Sequence, residues 1–226
     1  VLYFNFLKIN PKNCNDKNRD YFILSKGHGC VALYTVLNKR GLIKDSDIRS
    51  FSKVNSILGE HPDATKIKFV EASCGSLGHG LSFAVGIAYS LKLQKKKNKV
   101  VVLVGDGECQ EGTIWEAAHV ARNKKLDNLI VIVDHNKSGE QLLPLDNLKE
   151  KWRSFGWKVF SVNGHDEHLL LKTLKKTTKS KNLPKVIVAE TTKGKGVSFI
   201  EGHGPWHHKI PNKLEYKKIM EELTNG

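Results

Sequence analysis

At 226 residues, 39% of them hydrophobic, the chain is long enough for one large α/β domain with an ordinary core, and nothing in it demands two. Its net charge of +14 comes mainly from lysine, since arginine stands only at Arg19, Arg40, Arg49, Arg122 and Arg153. Guanidinium forks are the usual readers of phosphate backbones and base edges, so this composition speaks against a nucleic-acid partner and reads as a solvated lysine surface.

The cysteines, Cys14, Cys30, Cys74 and Cys109, show neither CxxC pairing nor the density of a disulfide scaffold, which fits a reducing compartment and predicts a cytoplasmic protein. No apolar run approaches the roughly 20 residues needed to span a bilayer, so no membrane partner is expected. The start VLYFNFLKIN lacks a basic leader with a small-residue cleavage site. It also lacks methionine, so the natural start is expected further upstream.

In chain order, residues 21 to 42 offer a short apolar segment, then SKGHG, then the apolar-periodic CVALYTVLNKRGL closing on Gly41. That pattern predicts loop, glycine turn and helix. After a polar stretch to Pro62, a glycine-rich loop in FVEASCGSLGHGLSFAVGIAYSLKLQ feeds a helix that packs closely through small residues. KKKNK then leads into VVVLVG, a continuous β-branched run typical of a strand buried on both faces. The alternation continues with IWEAAHVARNKKL as helix, NLIVIVD as strand, NLKEKWRSFG as helix, KVFSV as strand, a helix around His168 to Lys176, PKVIVAETT as strand, and a final helix LEYKKIMEEL. Strands separated by helical stretches predict one three-layer α/β/α domain over residues 1–226. Its sheet should be mostly parallel, with ligands at the carboxyl ends of the strands.

The strongest chemical signal lies at two such ends. Gly105-Asp106-Gly107 closes VVVLV, and Asn136 follows IVIVD 30 residues after Asp106. A carboxylate and an amide oxygen from neighbouring strand ends are suitable hard ligands for Mg²⁺, which shares its shell with ligand phosphates and water. The flanking glycines let a diphosphate approach the backbone.

This arrangement resembles the thiamine-diphosphate motif, and GDGECQEGTIWEAA is similar to transketolase. The resemblance implies a thiamine-diphosphate-binding fold in which Asp106, Asn136 and the backbone carbonyl of Ser138 hold the Mg²⁺ that clamps the cofactor diphosphate. It implies that Glu111 and Glu116 lie near a subunit interface at the cofactor; helix-start and helix-surface charge is the plainer alternative for both. SKGHG with His28 and GEHPD with His61 look like family segments that bring histidines to the reactive carbon. SCGSLGHG resembles the loop whose backbone, at Gly75 and Leu77, meets the aminopyrimidine ring. TTKGKGVSFIEGHGPWHHKIP resembles the stretch bearing a third active-site histidine, placed at His207 with His203 as the alternative. His79 either contacts cofactor or caps the following helix.

The resemblance covers the pyrophosphate domain of a transketolase and stops at its end. It therefore implies the first subunit of a split enzyme that moves a two-carbon ketol unit from a ketose to an aldose, acting on sugars or sugar phosphates. A separate pyrimidine-domain subunit would complete it, two copies of each chain assembling. Two rival readings are a subunit of a 2-oxo acid dehydrogenase or decarboxylase, and a non-catalytic scaffold.

Overall fold

The structure, a computed structural model, describes residues 1–141, 143–202 and 205–225. Among them, five strands form one sheet: β1 (Tyr21–Leu24), β2 (Val100–Gly105), β3 (Leu129–His135), β4 (Lys158–Asn163) and β5 (Lys185–Glu190). They lie in the order β1-β2-β3-β5-β4, and every pairing is parallel. Central strands of a parallel sheet are covered on both faces, and VVVLVG, LIVIVDH and KVIVAE are accordingly almost wholly buried. Edge strand β4, KVFSVN, is largely open or half-buried.

The sheet is flanked by helices α1 (Cys30–Lys39), α2 (Asp45–Arg49), α3 (His79–Leu93), α4 (Gly112–Asn123), α5 (Leu148–Ser154), α6 (Glu167–Thr177) and α7 (Lys213–Asn225). The two-residue period of the strands divides the core into two layers. Val100, Val102, Val104, Leu129, Val131 and Val133 face α3, α4 and α5 through Leu81, Ala84, Ile114 and Trp152. Val101, Ile130, Ile132 and Ile187 face the opposite way, toward α1 and α6 through Leu33, Leu37 and Leu174. Small residues let α3 seat closely: Gly80, Ala84 and Ala88 are buried, and a Cβ at Gly80 would fall 2.4 Å from Ser25 Oγ.

All four anticipated strands and six anticipated helices are present. Two further elements carry too little pattern to read from sequence. The segment YFIL is only four residues long, and it becomes strand β1 because β2 offers a free edge at Val100 to Leu103. Helix α2 has five residues and buries none of them; Asp47 closes its start by accepting the Lys44 N–H at 2.8 Å through Oδ2. Among the described residues, no helix is long and apolar enough to cross a membrane. All four cysteines are free.

An aromatic stack anchors α5 beneath the sheet. Trp152, fully buried, has its ring centroid 5.1 Å from that of Trp115 and 4.9 Å from that of Trp157. Trp157 in turn donates its indole N–H to the Ala118 carbonyl at 2.9 Å. Trp152→Ala should cost about 3–5 kcal/mol in urea unfolding followed by circular dichroism. A loss below about 1 kcal/mol would show that the stack contributes little to holding α5.

Candidate functional site

Because all five strands run the same way, their carboxyl ends share one edge, and register decides what emerges side by side. Gly105 pairs with Asp134, and Asp134 with Ala189. Ser25 follows β1, Asp106 follows β2, Asn136 follows β3 and Thr191 follows β5 along that edge.

Asp106 is 3% exposed and caps a short 3₁₀ turn over Gly107–Gln110. Its Oδ1 accepts the Gly107 N–H at 2.6 Å, while Oδ2 is buried without a hydrogen-bond partner among the described residues. Across from it, Asn136 Oδ1 accepts the Ser138 N–H at 3.0 Å, a turn made possible by the positive φ of Lys137. The hydroxyl of Ser138 is likewise buried and unpartnered there. The two turns touch through glycine: a Cβ on Gly139 would stand 2.6 Å from Gly107 Cα, so only a bare backbone fits there.

A charged network braces the floor. Lys26 of SKGHG reaches Asp134 Oδ2 at 2.5 Å; that carboxylate also accepts from Thr191 Oγ1 and from Asn136 Nδ2. Burial alone would raise the Asp134 pKa, but Lys26, Thr191 and Asn136 outweigh it and hold the carboxyl below its ordinary value. Lys193 also lines the cavity and donates to His207 Nδ1. Burial and Lys26 lower the Lys193 pKa against the pull of Asp106 and Asp134. Glu108, 2% exposed, accepts from Ser25, Gly78 and Gly105 and so joins three loops.

Above these groups lies a cavity of about 470 Å³. It brings together His28, Leu77, Gly105, Asp106, Gly107, Asn136, Ser138 and His207 of the residues singled out by sequence. The rings of His28 and His207 are 5.7 Å apart. His61 and Gly75 stand to one side, outside the cavity lining. The exposed His61 ring lies 3.0 Å from where a Gly27 Cβ would sit and 3.5 Å from one on Gly75, so it adjoins the turn that carries His28. Glu111 and Glu116 are exposed at the start and middle of α4 and do not line the cavity either. Glu111 packs against Gly78, whose φ of +86° and close neighbours Thr113 and Glu111 leave no room for a side chain. His79 opens α3 with Nδ1 3.2 Å from the Leu77 carbonyl oxygen. His203 lies outside the described residues.

Sequence reasoning passed over Lys26, Glu108, Gly139 and Lys193. Lys26 and Lys193 sit inside the SKGHG and TTKGKG segments; for Lys193 its position after the strand PKVIVAETT was the available signal, whereas the strand before Lys26 is too short to read. His135, given no role from sequence, is a buried brace whose two ring nitrogens meet Glu190 at 2.7 Å and Glu140 at 3.0 Å.

Residues 1–221 match the family described as transketolase, thiamine diphosphate binding domain. An apulose-4-phosphate transketolase subunit of Actinobacillus succinogenes is 42% identical, the match covering 99% of this chain and 83% of that protein. The 6-deoxy-6-sulfo-D-fructose transketolase subunit SqwG of a Clostridium species is 36% identical, over 99% of this chain and 83% of its own length. The crystal structure of transketolase from Campylobacter jejuni superposes with a TM-score of 0.89 at 34% identity, covering 96% of this chain but 36% of that one. The chain thus spans about four fifths of the subunit-type relatives and about a third of the Campylobacter transketolase.

Burial first, then Lys26, His207, Lys193 and His61, push the pKa of His28 down to about 4. Burial, Lys193, His208 and Lys26 lower that of His207. His28 should therefore be neutral at pH 7, its ring signals titrating by NMR with a midpoint near about 4, and Lys26→Met should raise that midpoint by removing a repelling cation. Since the unfolded chain takes up this proton first, near 6.5, the site should lose stability as pH falls from there through about 4. A wild-type midpoint at the ordinary histidine value would contradict the burial of this ring beside Lys26 and Lys193.

Proposed function

We propose, from the premise that this chain belongs to the transketolase family through its thiamine diphosphate binding domain, that it is the diphosphate-holding subunit of a split transketolase. A separately encoded pyrimidine-domain chain would complete the enzyme, with two copies of each. Supporting this are relatives named as transketolase subunits, which are 42% and 36% identical over 99% of this chain. We place the enzyme in the cytoplasm, with sugars or sugar phosphates as substrates and neither nucleic acid nor membrane as partner.

The observation that carries the reading is the buried, unpartnered Oδ2 of Asp106 opposite Asn136. A carboxylate oxygen left bare in the interior is costly unless a cation meets it. The donor set of Asp106 carboxylate, Asn136 amide oxygen and Ser138 main-chain oxygen is all hard oxygen and fits Mg²⁺. Backbone at Gly105, Gly107 and Gly139, bare of side chains, suits close approach of a diphosphate, and Lys26 and Lys193 add positive charge beside it. Leu77 and Gly75, on the loop before α3, would meet the aminopyrimidine ring with main-chain groups.

When bound, thiamine diphosphate supplies the carbon nucleophile and electron sink through which the two-carbon ketol unit passes. The chain's histidines would handle the protons. His28, held neutral by burial and its neighbours, would hydrogen-bond a sugar hydroxyl and, being a weak base, would give back at once any proton it takes up. His207 has Nδ1 engaged by Lys193, so exchange with substrate falls to Nε2. His61, exposed beside the His28 turn, would contact the sugar from the open side. Glu111 and Glu116, exposed on α4, would face the partner near the cofactor.

Asp106→Ala, in the chain combined with its partner subunit, should abolish Mg²⁺-dependent thiamine diphosphate binding in calorimetry. His28→Ala should leave that binding intact and lower turnover by about 10² to 10⁴, the range for a lost acid–base group. Unchanged cofactor affinity in Asp106→Ala would remove the metal assignment, and wild-type turnover in His28→Ala would remove that residue from the chemistry.

A further inference from the structure

Glu108 has no part in the chemistry assigned above, yet its buried carboxylate, at the lining of the cavity, accepts three hydrogen bonds. Oε1 takes the Ser25 hydroxyl and the Gly78 N–H, the latter at 2.8 Å, and Oε2 takes the Gly105 N–H at 3.0 Å. The donors come from three separate segments. Ser25 directly precedes Lys26 and the His28 turn, Gly78 follows Leu77 at the entry to α3, and Gly105 precedes Asp106.

We propose that Glu108 is a positioning residue, a single buried carboxylate that sets the spacing of the three loops gripping thiamine diphosphate; this rests on the functional reading above. The valence of the site requires an acid. Two of the donors are main-chain N–H groups, which cannot reverse polarity, and they address different oxygens. Both terminal atoms must therefore accept, and only a carboxylate offers that. A glutamine of the same shape would turn its NH₂ onto one backbone N–H whichever way it is flipped, leaving a buried donor unpaired.

The loops also have little slack with which to absorb a shift. Gly78 is boxed by Thr113 and Glu111, its notional Cβ lying 2.3 Å from Thr113 Oγ1, and Gly80 packs on Ser25. Displacing any one donor therefore displaces cavity-lining residues relative to Asp106: Leu77 with Gly78, and Lys26 and His28 with Ser25.

The test uses Glu108→Gln and Ser25→Ala, each in the chain combined with its partner subunit. Three quantities are read: melting midpoint without cofactor, thiamine diphosphate affinity with Mg²⁺ by calorimetry, and kcat and KM for a donor ketose at saturating cofactor. Glu108→Gln should stay folded and bind cofactor at least about tenfold more weakly, the effect of one buried donor left unpaired. Ser25→Ala frees only the segment bearing Lys26 and His28. It should keep cofactor affinity within about threefold while kcat/KM for the ketose falls about tenfold. Lowered melting midpoints with unchanged affinity and kinetics in both variants would overturn the positioning role and leave Glu108 as fold support. If Glu108→Gln does not fold, Ser25→Ala decides alone, and unaltered kcat and KM overturn the inference. A wild-type enzyme that fails to bind thiamine diphosphate would instead overturn the functional reading itself.

Discussion

The pairing of β2 with β3 governs everything at the site. Because both strands are buried on both faces, a slip of one residue would turn Val100, Val102 and Val104 away from the α3–α4 layer and break both halves of the core. Register held this firmly delivers Gly105 beside Asp134, and hence the Asp106 turn beside the Asn136 turn. The contact of Gly107 with Gly139 is then a consequence of sheet geometry rather than of loop chemistry. Apolar burial far from the site is thus what fixes the polar groups within it.

Asp134, Glu108 and Asp106 stand close together along this edge, and their surroundings divide the labour among them. Asp134 is neutralised by Lys26 and anchors the floor. Glu108 is saturated by donors from three loops and acts on the scaffold. Of the three, Asp106 alone keeps a buried oxygen without a hydrogen-bond partner among the described residues. Such an oxygen costs on the order of 1–3 kcal/mol or more in isolation, which a bound cation would offset. The histidines divide likewise: burial first, then Lys26 and Lys193, hold the pKa of His28 and His207 below the ordinary value, whereas His135, gripped by Glu140 and Glu190, braces the ends of β3 and β5.

Much of this was legible in the sequence, and the rest was hidden for physical reasons. VVVLV and LIVIV announce buried parallel strands, and GDG with Asn136 announces where they end. The cavity is lined by His28 of SKGHG and His207 of the PWHH segment, both singled out from sequence. The four-residue β1 is below the length at which alternation separates strand from loop, and α2 has no buried face to set a period. Glu108 was hidden most completely, because a glutamate in a polar GDGECQEG run looks like solvent-facing charge. Only the folded chain brings Ser25 and Gly78, 83 and 30 residues away, onto its oxygens. Lys26 and Lys193 were masked by the abundance of lysine elsewhere.

The central claim is that this chain supplies the diphosphate end of a thiamine diphosphate site whose other end belongs to a second subunit. On this reading cofactor grip and sugar-facing histidines would be gathered here, while the pyrimidine ring would reach across to the partner. The most direct measurement is ketol transfer from a ketose to an aldose by the purified chain with Mg²⁺ and thiamine diphosphate, without and with the separately encoded pyrimidine-domain chain. The account predicts turnover only when both chains are present. Robust turnover by this chain alone would contradict it.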